Sequence, residues 1–363
     1  MRCTMKKVIK TLLIILLAIV LVAGTYFSYI MLSYHRIEDK QSLGVEEPTA
    51  VAEKLAPEND ALSLTTWNIG FAAYLQDYTF FMDGGKESRA RSKDAVIENM
   101  NDIVDVLEQQ NSDFYFIQEV DFDATRSYKV DEREVIHDAL DDKAYVFAQN
   151  YDSPYLMYPF TSPHGANKSG IVTLSSYGID NSIRRSLPIQ TDVAKFLDLD
   201  RCFSVSEVKT SEGHSLFLVN FHLSAYTTDP TIVTQQLGML YDIMEKEYEK
   251  GNYVICGGDF NMDLLGDSAG IFGVEGGENA SWCQPFPVED IPKHVSLVAA
   301  YDENKKVASC RNNDMPYEPG KTFTCTVDGF LVTDNVEVDK AEVVDQEFMH
   351  SDHNPVHLDF KLK

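Results

Sequence analysis

Five residues offer only oxygen as a ligand atom: Asn68, Glu119, Asp259 and Asn261 stand where apolar runs end, and Asp352 stands just before a final one. Carboxylate and carboxamide oxygens suit hard divalent cations such as Mg²⁺, Mn²⁺ and Ca²⁺. Two histidines hold similar positions. His222 closes the run Leu216–Phe221, and His353 follows Ser351-Asp352. An imidazole titrates near neutrality and can pass protons, and Asp328 can orient one of them as an Asp–His pair. Hard cations, phosphates and proton transfer need these residue types. Singly, each has a plainer explanation. Asn68 can be a turn residue, Glu119 a solvated strand end, His222 a hydrogen-bonded core histidine, and Asp328-Gly329 a hairpin turn. Their joint order is what points to one site. Asp259 and Asn261 are two apart, so an extended chain would aim both the same way. Gly257 and Gly258 would let the backbone turn and a substrate approach.

The elements that must carry these residues alternate between helical and strand periodicity. Ser92–Leu107 places Val96, Met100, Ile103, Val104 and Leu107 at spacings of three and four, which predicts a helix. Pro230–Tyr248 does the same with Ile232, Leu237, Leu240, Tyr241 and Met244, and a shorter helix is expected over Val130–Leu140. Strands are expected at Leu62–Trp67, Phe114–Val120, Tyr145–Gln149, Gly170–Leu174, Cys202–Val208 and Leu216–His222. Others are expected from Tyr253, over Phe323–Val332 and over Val356–Phe360. Apolar strands alternating with helices predict an α/β fold with sheets covered by helices. Residues 263–320, rich in Gly, Pro and Asn, read as a long loop region.

Thr11–Leu32 holds 22 residues without a charge, enough for a helix to cross the hydrocarbon of a bilayer. Lys6, Lys7 and Lys10 precede it, and Tyr26, Tyr29 and Tyr34 lie toward its far end. The positive-inside rule then puts residues 1–10 in the cytoplasm and the bulk outside. Cleavage near Val22-Ala23-Gly24 is the alternative, leaving a secreted protein. Residues 33–60 are expected to be an acidic linker and 61–363 the functional domain. Residues 1–36 hold five basic residues and no acid, so 26 basic residues face 57 acidic ones in the remainder, a net of −31. Such a surface repels polyanions at long range and weighs against a broad grip on nucleic acid. It leaves room for a phosphorylated substrate held through a metal. No cysteine pair has metal-ligand spacing; Cys256 reads as a core thiol, and Cys310 and Cys325 are the candidate disulfide.

In order, TWNI at 66–69, QE at 118–119, NFHL at 220–223, GGDFN at 257–261, VDGF at 327–330 and SDHNPV at 351–356 resemble the endonuclease/exonuclease/phosphatase superfamily. The resemblance spans residues 60–362 and implies a four-layer α/β sandwich of two facing mixed β-sheets flanked by helices, here behind one transmembrane helix. It implies a magnesium-dependent phosphoesterase, Mn²⁺ or Ca²⁺ being the other candidate metals. Carried over by motif, Asn68, Glu119 and Asp352 match metal-site residues, and Asp259 and Asn261 the pair that positions water and phosphate. His222 and His353 match the two catalytic histidines, and Asp328 the carboxylate paired with the second. An aromatic residue often follows that carboxylate in the superfamily, where this chain has Gly329. Arg126, His164 and Lys168 are candidates for touching phosphate. The expected substrate is a phosphoester, either nucleic acid or a lipid or small-molecule phosphate. The alternative is a catalytically inactive binding module on the same scaffold.

Overall fold

The computed structural model describes residues 2–48, 60–191, 193–196, 199–211, 213–225 and 229–363. Two mixed seven-stranded sheets face one another. One has at its centre Leu62–Asn68, Phe114–Asp121 and Lys168–Ser175; the other contains the adjacent strands Ser215–His222, Tyr253–Asp259 and Asp328–Thr333. Leu64, Phe116 and Leu358 from the first sheet meet Leu218, Ile255 and Phe330 from the second, all fully buried. These strands carry apolar residues on both faces because each sheet also has a helix on its outer side.

Helix Lys93–Gln110 covers the first sheet, packing Met100, Ile103 and Leu107 against Trp67, Tyr115 and Ile117. The Ser92 side chain caps it by accepting from the Ala95 amide. Helix Pro230–Tyr248 covers the second sheet with Leu237, Leu240 and Met244 against Val219, Val254 and Leu331. Its Asp229 cap and Pro230 in the first turn set its start. The result is a four-layer α/β sandwich.

Several expected boundaries move. Phe323–Val332 is not one strand: Thr324–Cys325 pairs with Cys310–Arg311, and Asp328–Thr333 joins the main sheet. Asp328 therefore opens a buried strand and does not sit in a hairpin turn. The 263–320 region is not all loop, since Val295–Ala299 forms the edge of the second sheet beside Asp328–Thr333. This is a short edge strand with an exposed Ser296, Val298 packing against the core between the sheets and Val295, Leu297 and Ala299 against the core on the other face. Strands Asn181–Ser186, almost wholly polar, and Val336–Val343, half charged, are additional to the expected set. Cys310 and Cys325 lie opposite one another across their short pair with free thiols.

Arg2–Ser33 is one continuous helix. Thr4–Ser33 is long and apolar enough to cross a membrane, and a signal sequence has the same character. Within the stretch expected to be linker, Gln41–Ser42 pairs with Asn181–Ser186, and Val45–Glu46 pairs with Ala144–Asp152. Each short strand extends one sheet at its edge. The rest of that stretch, 49–59, lies outside the described residues.

Candidate active site

Strand register assembles the site before any side chain is considered. Ser215–His222 runs parallel to Tyr253–Asp259 and sets His222 opposite Asp259. Asp328–Thr333 runs antiparallel on the other side and sets Asp328 opposite Asp259. Three adjacent strands therefore deliver imidazole, carboxylate and carboxylate in one row. In the facing sheet Leu62–Asn68 and Phe114–Asp121 are parallel, with Asn68 opposite Gln118. The turn carrying Ser351-Asp352-His353 precedes Val356, which pairs with Thr66. The ends of both sheets thus open on the same cavity.

That cavity has a volume of about 500 Å³ and is lined by Asn68, Glu119, His222, Asp259, Asn261, Asp352 and His353 among others. The Asp259 carboxylate is its hub. Its Oδ2 accepts from Asn68 Nδ2 at 3.1 Å and stands 3.4 Å from His222 Nε2 and 3.9 Å from His353 Nε2. His353 Nδ1 donates to Asp328 Oδ2 at 2.8 Å, so the expected Asp–His pair is present. Trp67 Nε1 donates to the His353 carbonyl at 2.8 Å and holds the turn from below. Gly329 is required by packing: a Cβ there would lie 2.7 Å from Leu264 and 2.8 Å from the Val298 carbonyl.

Two site residues have left-handed backbone, Glu119 at φ 58° and Asn261 at φ 53°. Strain of this kind in a non-glycine residue is found at functional sites. The ladder between Phe114–Asp121 and Lys168–Ser175 is irregular between Ile117 and Val120, which breaks strand alternation at Glu119. Gln118 stays between the sheets, donating to Asn220 Oδ1 at 2.8 Å, while Glu119 lines the cavity. At Asn261 the chain is not extended as expected. Its amide donates to Asp259 Oδ1 at 2.8 Å, and its side chain donates to the Leu223 carbonyl at 2.9 Å.

Burial pushes the Asp259 carboxyl up to about 7, against the pull of His353 and with the Asp328 charge adding. Burial works against a charged His353. The Asp328, Cys310 and Asp352 charges and the Asp328 hydrogen bond outweigh it and raise the imidazole well above its usual range. Burial, then the Arg201, His353 and Arg126 charges, lower His222 well below the usual range. The two histidines are therefore unlike: one favours the proton and the other refuses it.

Glu119 also titrates high, from burial, with Arg126 opposing and Asp352 adding. Arg126 stands 3.7 Å from Glu119, but its guanidinium is committed to both oxygens of Asp121, at 2.9 and 3.0 Å. Glu119 and Asp352 line the same cavity as Asn68, and two carboxylates with a carboxamide oxygen fit a hard divalent cation. Asp259, Asp328 and His353 form a second compact group, one ligand atom from each lying within 4.8 Å of the others, which could also hold a metal ion. Asp328 Oδ1, His222 Nδ1 and Asn313 Oδ1 are buried and without partners among the described residues.

The phosphate candidates divide. Arg126 and His164 line the cavity; Lys168 does not, and its ammonium faces Asp123 at 3.7 Å. The His164 Nδ1 meets the Ser88 carbonyl at 2.6 Å. Sequence reasoning missed Arg201, Asn313 and Cys310. Arg201 lines the cavity and donates to the Leu223 carbonyl at 2.8 Å. Asn313 donates to Asp352 Oδ2 at 2.6 Å, and Cys310 Sγ stands 3.5 Å from His353 Nε2. No local pattern marks these three, which sit in loops or at strand starts.

A family model described as "Endonuclease/Exonuclease/phosphatase family" matches residues 65–353. No curated protein matches the chain. Among solved structures, an endonuclease/exonuclease/phosphatase from Beutenbergia cavernae is 16% identical, with a TM-score of 0.56 over 83% of this chain and 72% of that one. ANGEL2, described as a 2',3'-cyclic phosphatase in complex with adenosine-2',3'-vanadate, is 14% identical, with a TM-score of 0.54 over 88% and 98%. At these identities the likeness is one of fold.

Proposed function

Since this chain belongs to the endonuclease/exonuclease/phosphatase family, we propose that it hydrolyses a phosphate ester outside the cytoplasm with the help of a divalent cation, Mg²⁺ first among the candidates. The observation that carries the reading is the convergence of Asn68, Glu119, His222, Asp259, Asp352 and His353 on one cavity from both sheets. Of the two acidic groups, Glu119 with Asp352 and Asn68 is the better metal site. In the other, Asp328 Oδ2 and His353 Nδ1 are already bonded to each other. A bound cation would supply Lewis acidity toward a phosphoryl oxygen and offset the charge of the two carboxylates.

The protein groups divide the remaining work. Asp259, whose carboxyl burial raises to about 7, is assigned the role of base toward an attacking water. His353 keeps its proton through Asp328 and faces the same region, where it can stabilise developing negative charge or protonate a leaving oxygen. His222 is neutral and contributes a hydrogen bond from Nε2, with Asn261 beside it. Arg126 and Arg201 supply fixed positive charge to the cavity wall.

The test is turnover of a soluble phosphodiester and of phosphomonoesters by the full chain in detergent, with and without chelator. Activity restored by Mg²⁺ or Mn²⁺ is expected. Asp259→Ala and His353→Ala are each expected to lower kcat by about 10²–10³-fold. Retention of activity within about twofold in either variant would overturn the assignment.

A further inference from the structure

The aromatic wall of the cavity continues out of the site and onto the surface. Tyr74 packs edge-on against Phe80, Phe80 against Phe81, Phe81 lies 5.7 Å from Tyr158, and Tyr158 packs edge-on against Phe160. Tyr74 is buried at one end of this series, while Phe160 is 79% and Tyr158 63% exposed at the other. Met82, Tyr155 and Met157 are exposed as well. Single exposed apolar residues are ordinary; a set concentrated at the mouth of a cavity marks an interaction surface.

The same loop is bonded to the N-terminal helix. Tyr26 Oη accepts from the Met157 amide at 2.9 Å and donates to the Tyr155 carbonyl at 3.2 Å. Tyr29 Oη accepts from the Tyr155 amide at 3.0 Å. The uncharged run of the helix continues past Tyr26 to Leu32, about 9 Å further at 1.5 Å per residue. When this helix crosses a bilayer, Tyr26 and Tyr29 fall at the outer interfacial level, where tyrosines gather. A loop bonded to them lies at that same depth.

We propose that residues 155–160, with Met82, form a membrane-docking surface that turns the cavity mouth toward the outer leaflet, and that the phosphoester hydrolysed is carried by a lipid. The head group would enter the cavity while the acyl chains stay along the Phe81–Tyr158–Phe160 wall. The net charge of −31 beyond residue 36 favours a zwitterionic head group over an anionic one. The substrate half of this proposal rests on the phosphoesterase reading of the cavity, and the docking half on retention of residues 11–32.

The experiment uses the full chain reconstituted into phosphatidylcholine vesicles. Phe160→Trp, compared with the unsubstituted chain, should add an emission quenched by lipids brominated in the upper acyl region. No added quenching overturns docking. Phe160→Asp and Met157→Asp, neither of which lines the cavity, should lower turnover of vesicle-borne phosphatidylcholine by about tenfold or more. Both should leave turnover of soluble bis(p-nitrophenyl) phosphate within about twofold. Equal losses on both substrates, or no loss on the vesicle substrate, overturn the proposal. No turnover of either substrate by the unsubstituted chain overturns the phosphoesterase reading and the lipid substrate with it, while quenching still decides docking.

Discussion

At the scale of residues, five histidines and acids in one cavity titrate in different directions because each has different neighbours. His164 shows the consequence for stability. It was expected to touch phosphate, yet burial, with Arg126 nearby, lowers its imidazole to about 4 despite the Ser88 carbonyl. It is neutral at pH 7 and acts as a wall residue. In the folded chain it takes up a proton only near pH 4; in the unfolded chain it does so near 6.5. Between those values the unfolded state binds more protons, so stability contributed by the neutral ring is full above pH 6.5 and lost as pH falls through 4. His164→Gln should remove up to about 3 kcal/mol of that acid-side loss. Urea midpoints of both chains at pH 7, 5.5 and 4 measure it, and parallel pH dependences would contradict it. Asn68, Glu119, His222, Asp259 and His353 stood out through their joint order along the chain, and the fold brings them to one cavity. Arg201, Asn313 and Cys310 did not stand out, because their contacts come from residues 20 or more positions away.

At the scale of elements, register decides the site. Gly258 is the position where this can be tested. It lies on the strand that carries Asp259, opposite Phe221 on the strand that carries His222, with φ 147°. A Cβ there would lie 2.0 Å from the Phe221 carbonyl oxygen. Gly257 is confined likewise, by Phe330 and Phe116. These glycines were expected to admit substrate; they are needed for the strands to approach one another. Gly258→Ala should cost more than about 2 kcal/mol in denaturant unfolding and shift the catalytic row. A midpoint unchanged from the parent chain would show that the strands can part without cost. Helices Lys93–Gln110 and Pro230–Tyr248 were legible from periodicity alone because each buries one stripe. The irregularity at Glu119 was not, since neither neighbour in Gln118-Glu119-Val120 is a turn residue.

At the scale of the whole molecule, charge and the N-terminal helix set what can reach the cavity. With −31 beyond residue 36, approach of a soluble anionic phosphodiester is opposed at long range. Raising ionic strength from about 0.05 to 0.2 M screens that repulsion, so kcat/KM for such a substrate should rise. A binding mode built on many Lys/Arg–phosphate contacts would give the opposite slope, so a steep fall with salt would contradict the charge argument. The amino-acid sequence alone determined the apolar N-terminal run, the α/β alternation and the ordered set of chemistry-bearing residues, because these depend on composition and short-range periodicity. Only the tertiary structure decided that the carboxylates and imidazoles meet, that Glu119 turns into the cavity, and that the aromatic loop is bonded to the helix. Those facts depend on pairings between strands and loops up to about 290 residues apart, and no local pattern encodes which distant partner a residue will face.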